Sequence, residues 1–179
     1  MKRYFNLVSV ILPIVVAGCS AATATANDSN VPTEETQNMF RKINDNLSVS
    51  PQISLDDVAA AKTEGVSLII NNRPDGEDPG APQSADIEAA ARDAGLKYIA
   101  IPITHSGFSG PQVDAMIAAL AEGDKALAYC RSGTRSTLLW ALAQAKQGME
   151  PDEIARLAGN AGYDITPVRA MIDALAAGS

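Results

Sequence analysis

The sequence predicts an α/β fold, a small and mostly parallel sheet flanked by helices, and three observations carry that prediction. Short apolar runs of strand length recur beyond residue 41, and helical periodicity fills the gaps between them. Glycine and proline mark the junctions. Strand and helix alternate throughout, the pattern of parallel strands joined by helical crossovers, with the functional site at the carboxyl ends of the strands.

In chain order, the runs Leu47 to Val49, Val66 to Ile70, Tyr98 to Ile103 and Ala126 to Cys130 are predicted strands. Ser54 and Asp57 have the spacing of a capping box ahead of Val58 to Thr63, and Gly65 sits where a helix C-terminal glycine belongs. Ser84 and Gly95 bracket a second helix. Pro111 suits the first turn of a third that ends near Gly123, and a fourth starts at Arg135-Ser136. Pro151 and Pro167 start two more. No internal repeat is visible.

The N-terminus has a different composition. Met-Lys-Arg leads into an apolar run from Leu7 to Ala17 and then into Gly18, Cys19 and Ser20, the layout of a secretory signal. The run is too short to span a bilayer. Val16-Ala17-Gly18-Cys19 resembles the lipobox of bacterial lipoproteins, which implies cleavage before Cys19, lipidation of that cysteine, export and a periplasmic domain anchored to the membrane. Ser20 after the cysteine resembles the outer-membrane sorting pattern. The alternative is a plain signal cut between Ala22 and Ala26. From Ser20 to Arg41 the chain is mostly Ala, Thr, Asn, Ser and Glu with one Pro, too polar to bury a core, and reads as a tether. The expected organisation is a signal peptide over 1–18, a tether over 19–41 and one domain over 42–179, long enough to fold without disulfides.

Charge and composition exclude several classes. The formal net charge is -7, and losing Lys2 and Arg3 with the signal makes it -9, so nucleic acid is excluded as a partner. Four Tyr, three Phe and one Trp offer no stacking platform either. A single His and one unlipidated Cys cannot form a zinc site, so no metal is expected, and nothing indicates a cofactor. Oligomeric state is left open.

The chemistry concentrates in KALAYCRSGTRSTLLWALAQ, Lys125 to Gln144, where an apolar strand meets a cysteine, a short glycine-containing loop and a helix. Loop amides ahead of a helix N-terminus point at one spot and favour a bound oxyanion. The same helix start, with the guanidinium groups of Arg131 and Arg135, favours the thiolate of Cys130 over its thiol. With Cys19 lipidated or removed, Cys130 has no partner within its chain in an oxidising compartment, which argues for a reactive role over a buried small hydrophobe. Arg135 offers a planar fork for an oxyanion. Arg131, Ser132, Thr134 and Ser136 supply further polar groups around the anion, and Gly133 supplies a positive φ or close backbone approach.

The loop Cys130-Arg131-Ser132-Gly133-Thr134-Arg135-Ser136 resembles both the rhodanese sulfurtransferases and the cysteine-dependent phosphatases of the dual-specificity type. The lead-in separates them. Leu47 to Gln52 before Ser54, Gly65-Val66 into Ile69-Ile70-Asn71-Asn72-Arg73-Pro74, and Gly95-Leu96-Lys97-Tyr98 into Ile101-Pro102-Ile103 are similar to the phosphatase type. More narrowly, Phe40 to Leu175 resembles the bacterial phosphatase-like domain found fused to beta-lactamase-like hydrolases, sometimes labelled a sulfurtransferase family. The resemblance implies a protein tyrosine phosphatase-like fold whose strand-loop-helix cradle binds phosphate. It implies attack of Cys130 on phosphorus, with loop amides and Arg135 on the equatorial oxygens and Ser136 assisting the thiolate or the phosphoenzyme.

Two features depart from the phosphatase pattern. Four residues separate Cys130 from Arg135 where the phosphatase signature has five, and four is the rhodanese spacing. The loop after Ile103, where phosphatases carry an acidic residue, reads Thr104-His105-Ser106-Gly107-Phe108. His105 is the candidate proton donor there, and Asp75, Glu77 and Asp78 could contribute from a neighbouring loop. Three functions therefore stand: a cysteine-dependent phosphatase-like hydrolase acting on a small phosphorylated molecule or a phosphoprotein; a sulfurtransferase that takes persulfide on Cys130 from a sulfur donor; and a non-catalytic module that binds an oxyanion or senses redox state.

Overall fold

The computed structural model describes residues 39–123 and 125–178. The segment expected to be a signal peptide, Cys19 and most of the expected tether lie outside the described residues. Five strands form one sheet: β1 (Arg41–Lys42), β2 (Leu47–Ser50), β3 (Leu68–Asn71), β4 (Lys97–Ala100) and β5 (Ala126–Tyr129). Their order is β1-β2-β5-β3-β4, with β1 antiparallel to β2 and every other pair parallel. The helices are α1 (Leu55–Thr63), α2 (Ser84–Asp93), α3 (Gly110–Glu122), α4 (Thr134–Lys146), α5 (Pro151–Asn160) and α6 (Arg169–Ala177). The sequence-predicted α/β class with a mostly parallel sheet is the observed one.

Burial follows the two-residue strand period. Leu68 and Ile70 of β3 and Ala126 and Ala128 of β5 join the core with α3, α4, α5 and α6. Ile69, Leu127 and Tyr129 face the opposite way, onto Val58 and Ala61 of α1 and Ile87 and Ala91 of α2. Strands covered on both faces read as continuous apolar runs, which is why β3 and β5 were visible in the sequence. The small side chains of Ala126 and Ala128 let α4 lie close to the sheet, and α4 is buried along most of its length, including Leu139, Trp140 and Leu142. Each large apolar side chain so covered contributes about 1.5–3 kcal/mol.

Boundaries differ from expectation at four places. Arg41, expected to close the tether, opens β1: it pairs with Val49, and its guanidinium lies over the Tyr163 ring, 5.2 Å from the centroid. A two-residue charged edge strand has no apolar pattern to reveal it. β4 stops at Ala100 rather than Ile103, because Pro102 has no N–H for the ladder; only single bonds continue, from Ile101 N to Asn71 O at 2.8 Å and from Ile103 N to Asn72 O at 3.0 Å. The second helix is capped by Gln83 rather than Ser84, since Asp86 accepts the Gln83 N–H at 2.9 Å. Pro167 starts a single 3₁₀ turn, Thr166–Val168, ahead of α6. The Asp164 side chain accepts both the N–H and the hydroxyl of Thr166 and tightens that turn. The Ser54/Asp57 capping box forms as expected, with Asp57 N–H donating to Ser54 Oγ at 3.2 Å and Ser54 N–H to Asp57 Oδ2 at 2.7 Å.

Candidate active site

β5 is the central strand, so its carboxyl end lies between those of β2 and β3. Cys130 follows that end and is fully buried. The chain then turns through Arg131, Ser132 and Gly133 into α4. Gly133 is the helix N-cap, with φ 86°, the left-handed region that glycine adopts without strain. Its N–H donates to Cys130 Sγ at 3.2 Å. Its carbonyl is held from inside the helix by the N–H and the hydroxyl of Thr137, each at 3.0 Å. A Cβ at position 133 would run into the Tyr163 hydroxyl, so this glycine is required by space as well as by torsion. The Ser132–Gly133 peptide therefore faces two ways. Its N–H points at the sulfur, and its carbonyl points outward to the Tyr163 hydroxyl, a long contact of 3.5 Å. Burial pushes the Tyr163 phenol above its ordinary range, so it remains a neutral donor.

The other residues expected in the loop divide by exposure. Arg131, Ser132 and Thr134 are exposed, and Ser132 Oγ donates to Thr134 Oγ1 at 3.1 Å. Arg131 makes no ion pair among the described residues, while its carbonyl accepts Gln52 N–H at 3.4 Å. Ser136 is fully buried, and its Oγ has no hydrogen-bond partner among the described residues. Two other buried atoms share that condition, Ser50 Oγ and Asn72 Oδ1. Both belong to chain flanking Cys130: Ser50 is in register with Tyr129, and Asn72 N–H donates to Tyr129 O at 2.8 Å. A buried polar group without a partner costs about 1–3 kcal/mol, so three of them around one strand end are a concentrated local cost. His105 is exposed, two residues past Ile103, and no hydrogen bond ties it to the cradle among the described residues.

Arg135 is engaged by Glu77, one of the three acids of the neighbouring loop, and by a backbone carbonyl. Its Nη1 donates to Glu77 Oε1 and to the Ile103 carbonyl, both at 2.7 Å, and its Nη2 donates to Glu77 Oε2 at 2.8 Å. Glu77 Oε2 also accepts Arg73 Nε at 3.0 Å. Arg73 is 8% exposed and is fixed by Gln52 Oε1 at 2.6 Å. The Arg135 guanidinium holds the Glu77 carboxyl below the usual carboxylate range, with Arg73 adding to the effect against the opposing cost of burial. Glu77 in return raises Arg135, and Cys130 adds to that. Glu77 is thus an ionised clamp on Arg135 rather than the proton contributor the sequence left open for it. Asp75 instead accepts the Ser84 N–H at 2.8 Å and serves the start of α2. Gln83 pins the same loop, accepting Gly76 N–H at 2.8 Å and donating to Ala81 O at 2.6 Å.

The assembly is a buried thiol with a backbone N–H on its sulfur, a helix N-terminus behind it and a clamped guanidinium beside it. Such an arrangement can hold an oxyanion next to a nucleophile.

The likeness to known proteins fits that geometry. Residues 39–147 match the family described as beta-lactamase hydrolase-like protein, phosphatase-like domain. The beta-lactamase hydrolase-like protein of Xylella fastidiosa is 36% identical over 125 residues, which are 69% of this chain and 29% of that protein; the chain therefore spans less than a third of that relative. Among solved structures, a proposed phosphatase from Neisseria meningitidis is 32% identical and superposes with a TM-score of 0.68 over 77% of this chain and 98% of that one. The kinase associated phosphatase shares the fold, with a TM-score of 0.58 at 16% identity over 73% of this chain and 88% of that one. The sheet, the flanking helices and the match over more than half of the chain agree: the chain belongs to the beta-lactamase hydrolase-like protein, phosphatase-like domain family.

Proposed function

We propose that the domain is a cysteine-dependent phosphatase that hydrolyses phosphate monoesters. The observation that carries this reading is the 3.2 Å approach of Gly133 N–H to Cys130 Sγ inside a strand-loop-helix turn that ends at Arg135. The Cys130 thiolate attacks phosphorus and forms an S–P bond as the ester P–O bond breaks. The departing oxygen takes a proton, from His105 or from water. Water then attacks the same phosphorus, the S–P bond breaks, and the electron pair returns to sulfur as phosphate leaves. Loop N–H groups and Arg135 hold the equatorial oxygens through both steps. The Ser136 hydroxyl, buried and without a hydrogen-bond partner among the described residues, is assigned the task of assisting the thiolate or the phosphoenzyme. The substrate is a small phosphorylated molecule or a phosphoprotein. On the same reading Cys19 carries lipid and the domain faces the periplasm, so the processed wild type fractionates with membranes and a Cys19→Ala chain does not.

One sequence observation favours a second reading. The four-residue spacing and the lack of a carboxylate from Thr104 to Phe108 suit a sulfurtransferase, which passes a persulfide from Cys130 to an acceptor and requires no acid. Parallel assays separate the two. The reduced protein should turn over an aryl phosphate and leave thiosulfate with cyanide untouched, and the reverse result would overturn the phosphatase reading.

A further inference from the structure

Arg135 carries five N–H donors in one rigid plane. Both protons of Nη1 are taken, by Glu77 Oε1 and the Ile103 carbonyl, and one proton of Nη2 goes to Glu77 Oε2. What remains is Nε–H and the second Nη2 proton, which lie side by side along one edge of the guanidinium. That edge is a complete bidentate fork, and it belongs to the residue two places beyond Gly133, whose own N–H meets Cys130 Sγ at 3.2 Å. We infer that Glu77 is a positioning residue: by occupying the end of the guanidinium it turns the side edge to Cys130, so that two parallel N–H groups grip one oxyanion at the sulfur. The inference rests on the oxyanion-cradle reading above and adds to it a residue from another loop.

Glu77 is itself fixed in orientation. Arg73 Nε holds Oε2 at 3.0 Å, Gln52 Oε1 holds Arg73 Nη1 at 2.6 Å, and Asn71 Oδ1 holds the Arg73 N–H at 2.8 Å. Gln52 N–H reaches the Arg131 carbonyl at 3.4 Å. A continuous tie therefore runs from one shoulder of the cradle, Arg131, through Gln52, Arg73 and Glu77 to the other shoulder, Arg135. Glu77 touches neither sulfur nor the oxyanion position, so its effect passes through Arg135.

Charge and orientation predict opposite signs for the loss of Glu77. By Coulomb's law alone, removing a carboxylate beside the cradle strengthens anion binding. Loss of a fixed guanidinium weakens it. Iodoacetate and iodoacetamide alkylate the same sulfur and differ in charge, so the ratio of their rates on Cys130, read by peptide mass in the full chain, measures anion grip and cancels thiol reactivity. Glu77→Gln should lower that ratio about tenfold or more, in the range of a misplaced binding group. Glu77→Asp keeps the charge, draws the carboxylate back by one methylene, and should lower it as well. A ratio that rises or holds in Glu77→Gln overturns the inference, as does a wild-type ratio in Glu77→Asp, which would show that the reach of the carboxylate does not set the guanidinium. These rates involve no phosphoryl transfer. A protein inactive on phosphate esters would remove the phosphatase reading and leave this test standing, whereas kcat/KM on nitrophenyl phosphate should fall in parallel where turnover is measurable.

Discussion

The loop from Cys130 to Ser136 and the loop from Asn72 to Gln83 meet at Arg135, yet backbone shapes the first and side-chain charge shapes the second. In the first, one left-handed glycine at a helix start aims its N–H at a sulfur. In the second, two arginines share one carboxylate, and Gln83 and Asp75 tie the turn to α2. Backbone donors are fixed once the fold forms and need no partner to choose. Ion pairs must be oriented, and each needs a neighbour to hold it. On the proposed reading the chemistry belongs to the first loop and its precision to the second, and variants in each should fail differently.

The largest effect belongs to the sulfur. Cys130→Ser should abolish turnover while leaving oxyanion binding largely intact, because the alcohol is a far poorer nucleophile near neutral pH. Activity retained in that variant would remove the covalent mechanism and, with it, the division of labour between the loops. Arg135→Lys follows. Lysine keeps the charge and loses the fork, so the rate should fall about 10²-fold or more. It also loses the shape that Glu77 holds, and wild-type turnover with lysine would make both the fork and its clamp irrelevant.

Gly133→Ala tests the backbone side directly. The left-handed torsion costs a non-glycine residue about 1–2 kcal/mol, and the collision with the Tyr163 hydroxyl adds about 1–3 kcal/mol. The urea midpoint should drop accordingly. Combining Gly133→Ala with Tyr163→Phe should recover part of the collision and none of the torsion. An unchanged midpoint in the single variant would mean the loop is looser than its geometry implies.

How much of this was legible in the sequence follows the same division. Cys130, Gly133 and Arg135 stood out because strand, glycine and helix start fall within a few residues, and local pattern is what a sequence displays. The sheet showed through its doubly buried strands, whereas Arg41-Lys42 could not, since a short charged edge has no periodicity. Pro102 was in plain view, and the apolar residues around it still drew β4 too far. Glu77 was visible only as one of three acids in a turn. Which of Asp75, Glu77 and Asp78 meets Arg135, 58 residues away, depends on β3 lying beside β5, and no local signal states that. Arg73 and Gln52 were hidden for the same reason. Tyr163 belongs to the turn after α5, and its contact with Gly133 arises only once the helices pack.

His105 sharpens the comparison because it belongs to neither loop. If it protonates the leaving group, His105→Ala should slow alkyl phosphates far more than nitrophenyl phosphate, whose phenolate departs unaided, within the 10²–10⁴-fold range of general acid catalysis. Equal loss on both esters would indicate a structural role. No loss on either, together with thiosulfate turnover, would favour the sulfurtransferase.

The smallest effect is a pH dependence of stability at the clamp. Arg135 holds the Glu77 carboxyl below its ordinary range, so the folded-state value is depressed relative to the unfolded chain. A group shifted that way contributes stability that is present above the unfolded value and is lost as pH falls through the folded one. Arg135 is shifted upward and stays charged across the same interval, so the acid limb belongs to Glu77. The pair is only about a fifth exposed, which keeps solvent screening modest, and hydrogen bonds to charged groups of this kind are worth about 1.5–3 kcal/mol. Glu77→Gln should therefore lower the urea midpoint most near pH 7, and the gap from wild type should close as pH falls through the acid range. At the exposed Arg156–Glu153 pair, Glu153→Gln should give a smaller gap, because an exposed pair is screened by water and salt. A Glu77→Gln gap that stays constant with pH would mean that Glu77 acts by packing alone, and the orientation of Arg135 would then have to come from the Ile103 carbonyl.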